Sequence, residues 1–127
     1  MTEHAEAIAA AKAVMAAHLE ALNAQDDAAL AKTLHFPHHR LASGRLQTWA
    51  TPETYLADFR ARARDRWSHS RWDSLDVIAA SPDKVHLDVR FTRFRADGSE
   101  LGRFRSLWIL TEQNGQWAAT FRSSFAK

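Results

Sequence analysis

Residues 93–126 read RFRADGSELGRFRSLWILTEQNGQWAATFRSSFA. Two turn signals divide this stretch. Asp97-Gly98 and Asn114-Gly115 are residue pairs that accept positive backbone φ and so close tight hairpins. Phe104 to Thr111 reads as one strand between them, and Trp117 to Phe125 as the next. Upstream, Val85, Leu87, Val89 and Phe91 alternate with His86, Asp88, Arg90 and Thr92, the period of a strand with one buried face. Leu75, Val77 and Ala79 begin the same pattern, and Ser81-Pro82-Asp83 turns the chain between the two runs. The C-terminal half is therefore expected to be an antiparallel meander.

The N-terminal half changes period. Ile8, Ala11, Met15, Leu19 and Leu22 recur at three- and four-residue intervals, which predicts one helix over the first 24 residues, with His18 at the edge of its apolar stripe. Asp26 or Asp27 can cap a short second helix through Ala28, Leu30, Ala31 and Leu34, which Pro37 is expected to stop. His38 to Ala42 and Arg45 to Trp49 read as two short strands around Ser43-Gly44. Thr51-Pro52-Glu53 opens a third helix, with Thr51 as N-cap and Pro52 at the first helical position. Tyr55, Leu56, Phe59 and Ala63 form its inner face, and the helix frays near Arg66 to Ser70. This order predicts a single domain over residues 1–127. Its fold class is α+β, with three N-terminal helices packed on one face of a curved, mainly antiparallel sheet.

Composition narrows the function classes. The chain has 127 residues, 46% of them apolar and 25% charged, within the range of an ordinary globular protein. No run of about 20 apolar residues is present, so neither a membrane span nor a membrane partner is expected. The start lacks a basic-then-apolar pattern, and there is no cysteine, so a cytoplasmic location is the expectation. Net charge is only +2, with 13 Arg against 4 Lys. The densest basic run, RARARDRW at 60–67, splits on a helix into the stripes Arg60/Arg64 and Arg62/Arg66. A solvated helix face is the expected reading, and no nucleic-acid partner.

The passages NAQDDAALAKTLHFPHHRLASG (23–44) and RFRADGSELGRFRSLWILTEQNGQWAATFRSSFA (93–126), in this order of elements, resemble the nuclear transport factor 2-like superfamily. The resemblance covers about residues 5 to 126. Ketosteroid isomerase, the polyketide (SnoaL-like) cyclases, scytalone dehydratase and limonene epoxide hydrolase share its cone-like α+β fold. The resemblance implies a ligand pocket at the open mouth of the cone and a homodimer through the outer sheet face. It does not select a reaction, because the same fold hosts several chemistries and also carriers.

No complete catalytic set of these relatives maps onto the chain. The isomerase plan needs a carboxylate base with a tyrosine and a protonated acid, and the one tyrosine, Tyr55, lies on the third helix. Arg93 and Asp76 match part of the Asp–Arg–Asp plan of the epoxide hydrolase. His38 with Asp76 is the nearest match to the acid and histidine of the cyclases. The candidate catalytic residues are therefore His38, Arg93 and Asp76. Strand alternation predicts a pocket wall of Phe91, Arg93, Trp108, Arg122 and Ser124, faced by Phe36, Trp49, Tyr55 and Phe59. Such a mainly aromatic lining with one or two cations suits a small molecule. Parity leaves open which face of the Phe104–Thr111 strand points inward, since both are apolar. A purely structural role for the tryptophans, and a hydrogen-bonded edge role for His18, compete with these readings.

The stretch LHFPHHRLASGRL holds His35, His38 and His39 at helix-face spacing. Pro37 breaks the helix that would bring them together, and on a strand His38 and His39 point to opposite faces. No metal and no cofactor are expected, and His38 is the histidine expected to look inward. Two functions stay open: a metal-free isomerase, dehydratase or cyclase acting on a hydrophobic, anionic substrate, or a non-catalytic ligand-binding or dimeric interaction protein.

Overall fold

The computed structural model describes residues 4–63 and 66–126. The elements run α1 (Ala5–Ala24), α2 (Asp27–Lys32), β1 (Leu34–Ala42), β2 (Arg45–Trp49), α3 (Pro52–Ala63), β3 (His69–Ser81), β4 (Lys84–Phe94), β5 (Glu100–Gln113) and β6 (Gln116–Ser124). The six strands form one curved sheet in the order β2-β1-β6-β5-β4-β3. Every pair is antiparallel except β1 with β6. The three helices pack on the concave side, giving the α+β cone. No helix among the described residues is long and apolar enough to cross a membrane.

The turns follow their chemistry. Asn114 and Gly115 have φ of 55° and 81°, and Gly98 has 87°, the left-handed values those residue types tolerate. Asp26 caps α2 by accepting from the Ala29 amide at 3.2 Å, and Thr51 Oγ1 accepts from the Thr54 amide at 3.3 Å. Asn23 fastens the end of α1 to the start of β3. Its amide donates to Ser70 O (2.9 Å) and its carbonyl accepts from Ser70 N (2.8 Å).

Three local expectations are corrected. The buried stripe of α1 is Ala7, Ala11, Met15, His18 and Ala21, so His18 lies on its midline rather than its edge. Small alanines let the helix lie close to the sheet, and that closeness sets which face is buried more than the larger Ile8, Leu19 and Leu22 do. Pro37 does not end α2, which stops at Lys32 before the Thr33 cap. Pro37 sits inside β1, ahead of the first β1–β2 pair at His38 and within the register shift against β6 between Leu34 and His39. Its missing N–H therefore costs no ladder bond. Leu34, assigned to α2 by periodicity, begins β1. In α3, Tyr55 is buried and Phe59 half-buried. Ala63's side chain lies outside the described residues, as do those of Arg62 and Arg64.

Strand pairing settles the open question of parity. Val85, Leu87, Val89 and Phe91 pair with Leu110, Trp108, Ser106 and Phe104. Opposed residues share a face, and Val85, Leu87, Val89 and Leu110 are all fully buried. The inner face of β5 is thus Phe104, Ser106, Trp108 and Leu110, while Leu107 and Ile109 look outward with Arg105.

Candidate functional site

A cavity of about 470 Å³ opens between the sheet and helices α1 and α3. Its wall includes Tyr55, Phe59, Trp67, Trp72, Phe91, Phe104 and Trp108, with Leu22 and Leu101. Its polar groups are His18, Ser70, Ser106, Ser124 and the arginines Arg40, Arg66, Arg93, Arg95 and Arg122. The lining holds no Asp or Glu among the described residues.

Arg122 stands on β6 opposite Trp108 of β5. Its Nη2 donates to the Tyr55 hydroxyl at 3.0 Å. The guanidinium carbon lies 5.6 Å from the Tyr55 ring centre and 5.3 Å from that of Trp108, within cation–π range of both. Its Nε is buried and makes no hydrogen bond among the described residues. Arg60, Arg71, Arg103 and Arg105, which pair with Asp27, Asp73, Glu100 and Asp88 respectively, lie outside the cavity lining. Arg122 instead meets a neutral hydroxyl and two aromatic faces. Nearer the mouth, Arg93 lies 5.7 and 5.2 Å from the ring centres of Phe91 and Phe104. Gly102, paired with Arg93, admits Phe104: a Cβ there would come within 2.8 Å of its ring.

His18 forms part of the wall between two indoles. Its ring stacks on Trp72 (6.3 Å between centres) and meets Trp108 edge-on (5.0 Å). Nδ1 is 2.8 Å from Thr33 Oγ1, and that hydroxyl donates its one proton to Leu30 O at 2.7 Å. Thr33 can then only accept, so Nδ1 carries the proton and Nε2 is an acceptor. Burial, reinforced by the charge of Arg122, pushes the His18 pKa down to about 3, which keeps the ring neutral.

His38 does point inward and is fully buried, but it lies behind the wall rather than on it. Its Nδ1 donates to Ala119 O at 3.1 Å, and its ring packs against Trp49 and Tyr55. Burial first, then Arg122, lowers its pKa to about 2. Trp49 and Tyr55 pack on this ring, and the structure does not place it on the cavity wall where the acid–base role is expected. Asp76 is also misplaced as a catalytic candidate. It pairs with Asp88 on the outer face of the sheet and is exposed, because the alternation that turns its neighbour Leu75 toward the core turns Asp76 out. Phe36 and Trp49 back the wall through Tyr55, with ring centres 6.2 and 5.1 Å from it, and do not line the cavity. Tyr55, Phe59, Phe91, Arg93, Trp108, Arg122 and Ser124 do line it.

Sequence reasoning did not place His18, Arg40, Trp72 or Phe104 on the wall. The available signal was His18 itself, a lone polar residue near an otherwise apolar helix stripe. No cluster of three or more His, Asp or Glu positioned for a metal ion exists among the described residues.

Solved structures share this architecture. An NTF2-like protein of unknown function from Shewanella oneidensis superposes with a TM-score of 0.75 at 13% identity, over 90% of this chain and 94% of its own. A protein of unknown function with a cystatin-like fold from Nostoc punctiforme reaches 0.80 at 12% identity, over 95% and 91%. An NTF2-like protein from Cytophaga hutchinsonii reaches 0.72 at 18%, over the whole of both chains. At such identities the likeness carries the fold and not an activity. No curated protein matches the chain. Residues 5–121 match the model of the family described as NTF2-like protein (DUF6841), and the chain belongs to that family.

Proposed function

We propose that this protein binds a small hydrophobic anion, of the carboxylate class, in the cone cavity, with Arg122 as the anchor of the anionic group. The observation that carries the reading is the placement of Arg122. It is a permanent cation laid across Tyr55 and Trp108, in a lining without carboxylates among the described residues. A guanidinium in an apolar wall favours an anionic partner, and a carboxylate accepts from it in a bidentate fork. Arg95, also on the cavity lining, adds to the positive field that draws an anion in. The aromatic wall takes the apolar body of the ligand.

Binding without catalysis is the better supported of the two functions. The acid–base set of His38 and Asp76 is not assembled at the cavity, and the lining offers no carboxylate base among the described residues. The test compares matched ligands on the purified protein, such as 3-phenylpropionate and its longer homologues against their primary amides. The acids are expected to raise the melting temperature in proportion to concentration, and the amides to do so at least tenfold more weakly. Equal effects of acid and amide would overturn the reading.

A homodimer through the convex sheet face is a second proposal. Leu107, Ile109 and Phe121 lie on the sheet face turned away from the helices, and Ile78 on the flanking strand β3 is 58% exposed. Light scattering at about 50 µM is the check: a dimer mass supports the proposal, and a monomer mass rejects it.

A further inference from the structure

The cavity contains one acceptor whose protonation state the fold has fixed. Thr33 spends its proton on Leu30 O, so His18 must donate through Nδ1. That leaves Nε2 as a lone-pair acceptor on a ring that borders the cavity. The ring cannot turn to exchange its nitrogens without losing Thr33, and Trp72 and Trp108 flank it. Among the polar groups that reach this part of the wall, Arg122 can only donate. The Tyr55 hydroxyl accepts from Arg122 and has its own proton left to give. Arg122 and His18 approach the same indole, Trp108, at 5.3 and 5.0 Å. Donors and the His18 acceptor therefore meet around one ring, beside the Ser106 hydroxyl that accepts from the Trp108 indole.

We infer that His18 Nε2 selects ligands carrying a hydroxyl beside the anionic group, so that the site takes a hydroxylated hydrophobic acid rather than a plain one. This rests on the anion reading of the cavity and adds a second, independent contact. The acid accepts from Arg122 and Tyr55, and the ligand hydroxyl donates to His18. A ligand without that hydroxyl would bury Nε2 with no donor. Sites built around a substrate hydroxyl discriminate strongly against the analogue lacking it for this reason. An O-methyl ether fails as well, since it keeps the oxygen but has no proton to give.

The experiment titrates three ligand sets by calorimetry: 3-phenylpropionate, its 2-hydroxy and 3-hydroxy derivatives with the hydroxyl on the propionate chain, and their O-methyl ethers. The proteins are the wild type, His18→Asn and His18→Gln. Asn keeps a donor at the Nδ1 position for Thr33 and removes the Nε2 acceptor. Gln places an amide oxygen near the Nε2 position. In the wild type, one hydroxy isomer is expected to bind at least tenfold tighter than both the parent acid and its ether. His18→Asn is expected to erase that preference, bringing the hydroxy acids, the parent acid and the ethers to similar affinities. His18→Gln is expected to restore part of it. Acids that bind with no hydroxyl preference, or a preference that survives in folded His18→Asn, would overturn this inference and leave the anion site standing. Failure of every acid to bind would overturn both.

Discussion

Arg122 Nη2 and the Tyr55 hydroxyl, 67 residues apart in sequence, lie 3.0 Å apart at the cavity wall. The bond joins α3 to β6, elements that otherwise meet across the cavity. It also fixes the guanidinium against the Tyr55 and Trp108 rings, where its charge faces an apolar wall. Tyr55→Phe removes the one acceptor this guanidinium has among the described residues. The expected loss is about 1–2 kcal/mol of stability, roughly 3–6 °C in melting temperature for a domain of this size. Denaturant unfolding at pH 7.5 measures it, and an unchanged midpoint would show that the bond has no structural weight.

Acid should destabilise the fold earlier than carboxylate titration alone would. His18 and His38 are held neutral, with pKa values near 3 and 2, chiefly by burial. The unfolded chain protonates each near 6.5. Their contribution to stability is therefore complete above about pH 6.5 and is lost as pH falls toward the folded values. Each adds at most about 1.4 kcal/mol per pH unit to the slope. Urea unfolding between pH 7.5 and 4.5 tests this against the double variant His18→Asn/His38→Asn, which keeps both Nδ1-type donors. The variant's slope should be shallower; an equal slope contradicts the assignment.

Asn23 clamps the end of α1 to β3 through paired bonds with the Ser70 backbone. Asn23→Ala leaves that backbone N–H and carbonyl without their partner. A loss of about 1–3 kcal/mol is expected, read by thermal unfolding. Since Ser70 borders the cavity, weaker acid binding should accompany it.

Asp76→Asn is the counter-case. The side chain is exposed on the outer face beside Asp88. Stability should change by less than about 0.5 kcal/mol, and acid affinity not at all. A large loss of affinity would mean that the outer face communicates with the cavity.

The fold was legible in the sequence because each element carries its own local chemistry. Asp97-Gly98 and Asn114-Gly115 sit where positive φ is needed, Asp26 and Thr51 accept at helix starts, and Val85 to Phe91 alternate cleanly. The cavity was only half legible. Phe91 and Arg93 followed from the alternation of β4 and Tyr55 from the inner face of α3, but β5 is apolar on both faces, and its register with β4 was needed to turn Phe104, Ser106 and Trp108 inward. His18 was missed as a wall residue because apolar weight along α1 points to Ile8 and Leu19, whereas close packing buries the alanines. His38 faces inward, yet facing inward does not place a side chain on the cavity. Trp49 and Tyr55 come between, and that layering is a tertiary property with no signature in sequence.

The central claim is that Arg122 anchors an anionic group inside the cone. Its most direct measurement is calorimetric titration of the tightest-binding acid against the wild type, Arg122→Lys and Arg122→Met at matched ionic strength. Arg122→Met should lower affinity at least 30-fold, and Arg122→Lys, which keeps the charge but not the fork, about tenfold. All three proteins should bind the corresponding amide alike. Wild-type affinity for the acid in a folded Arg122→Met protein would contradict the account.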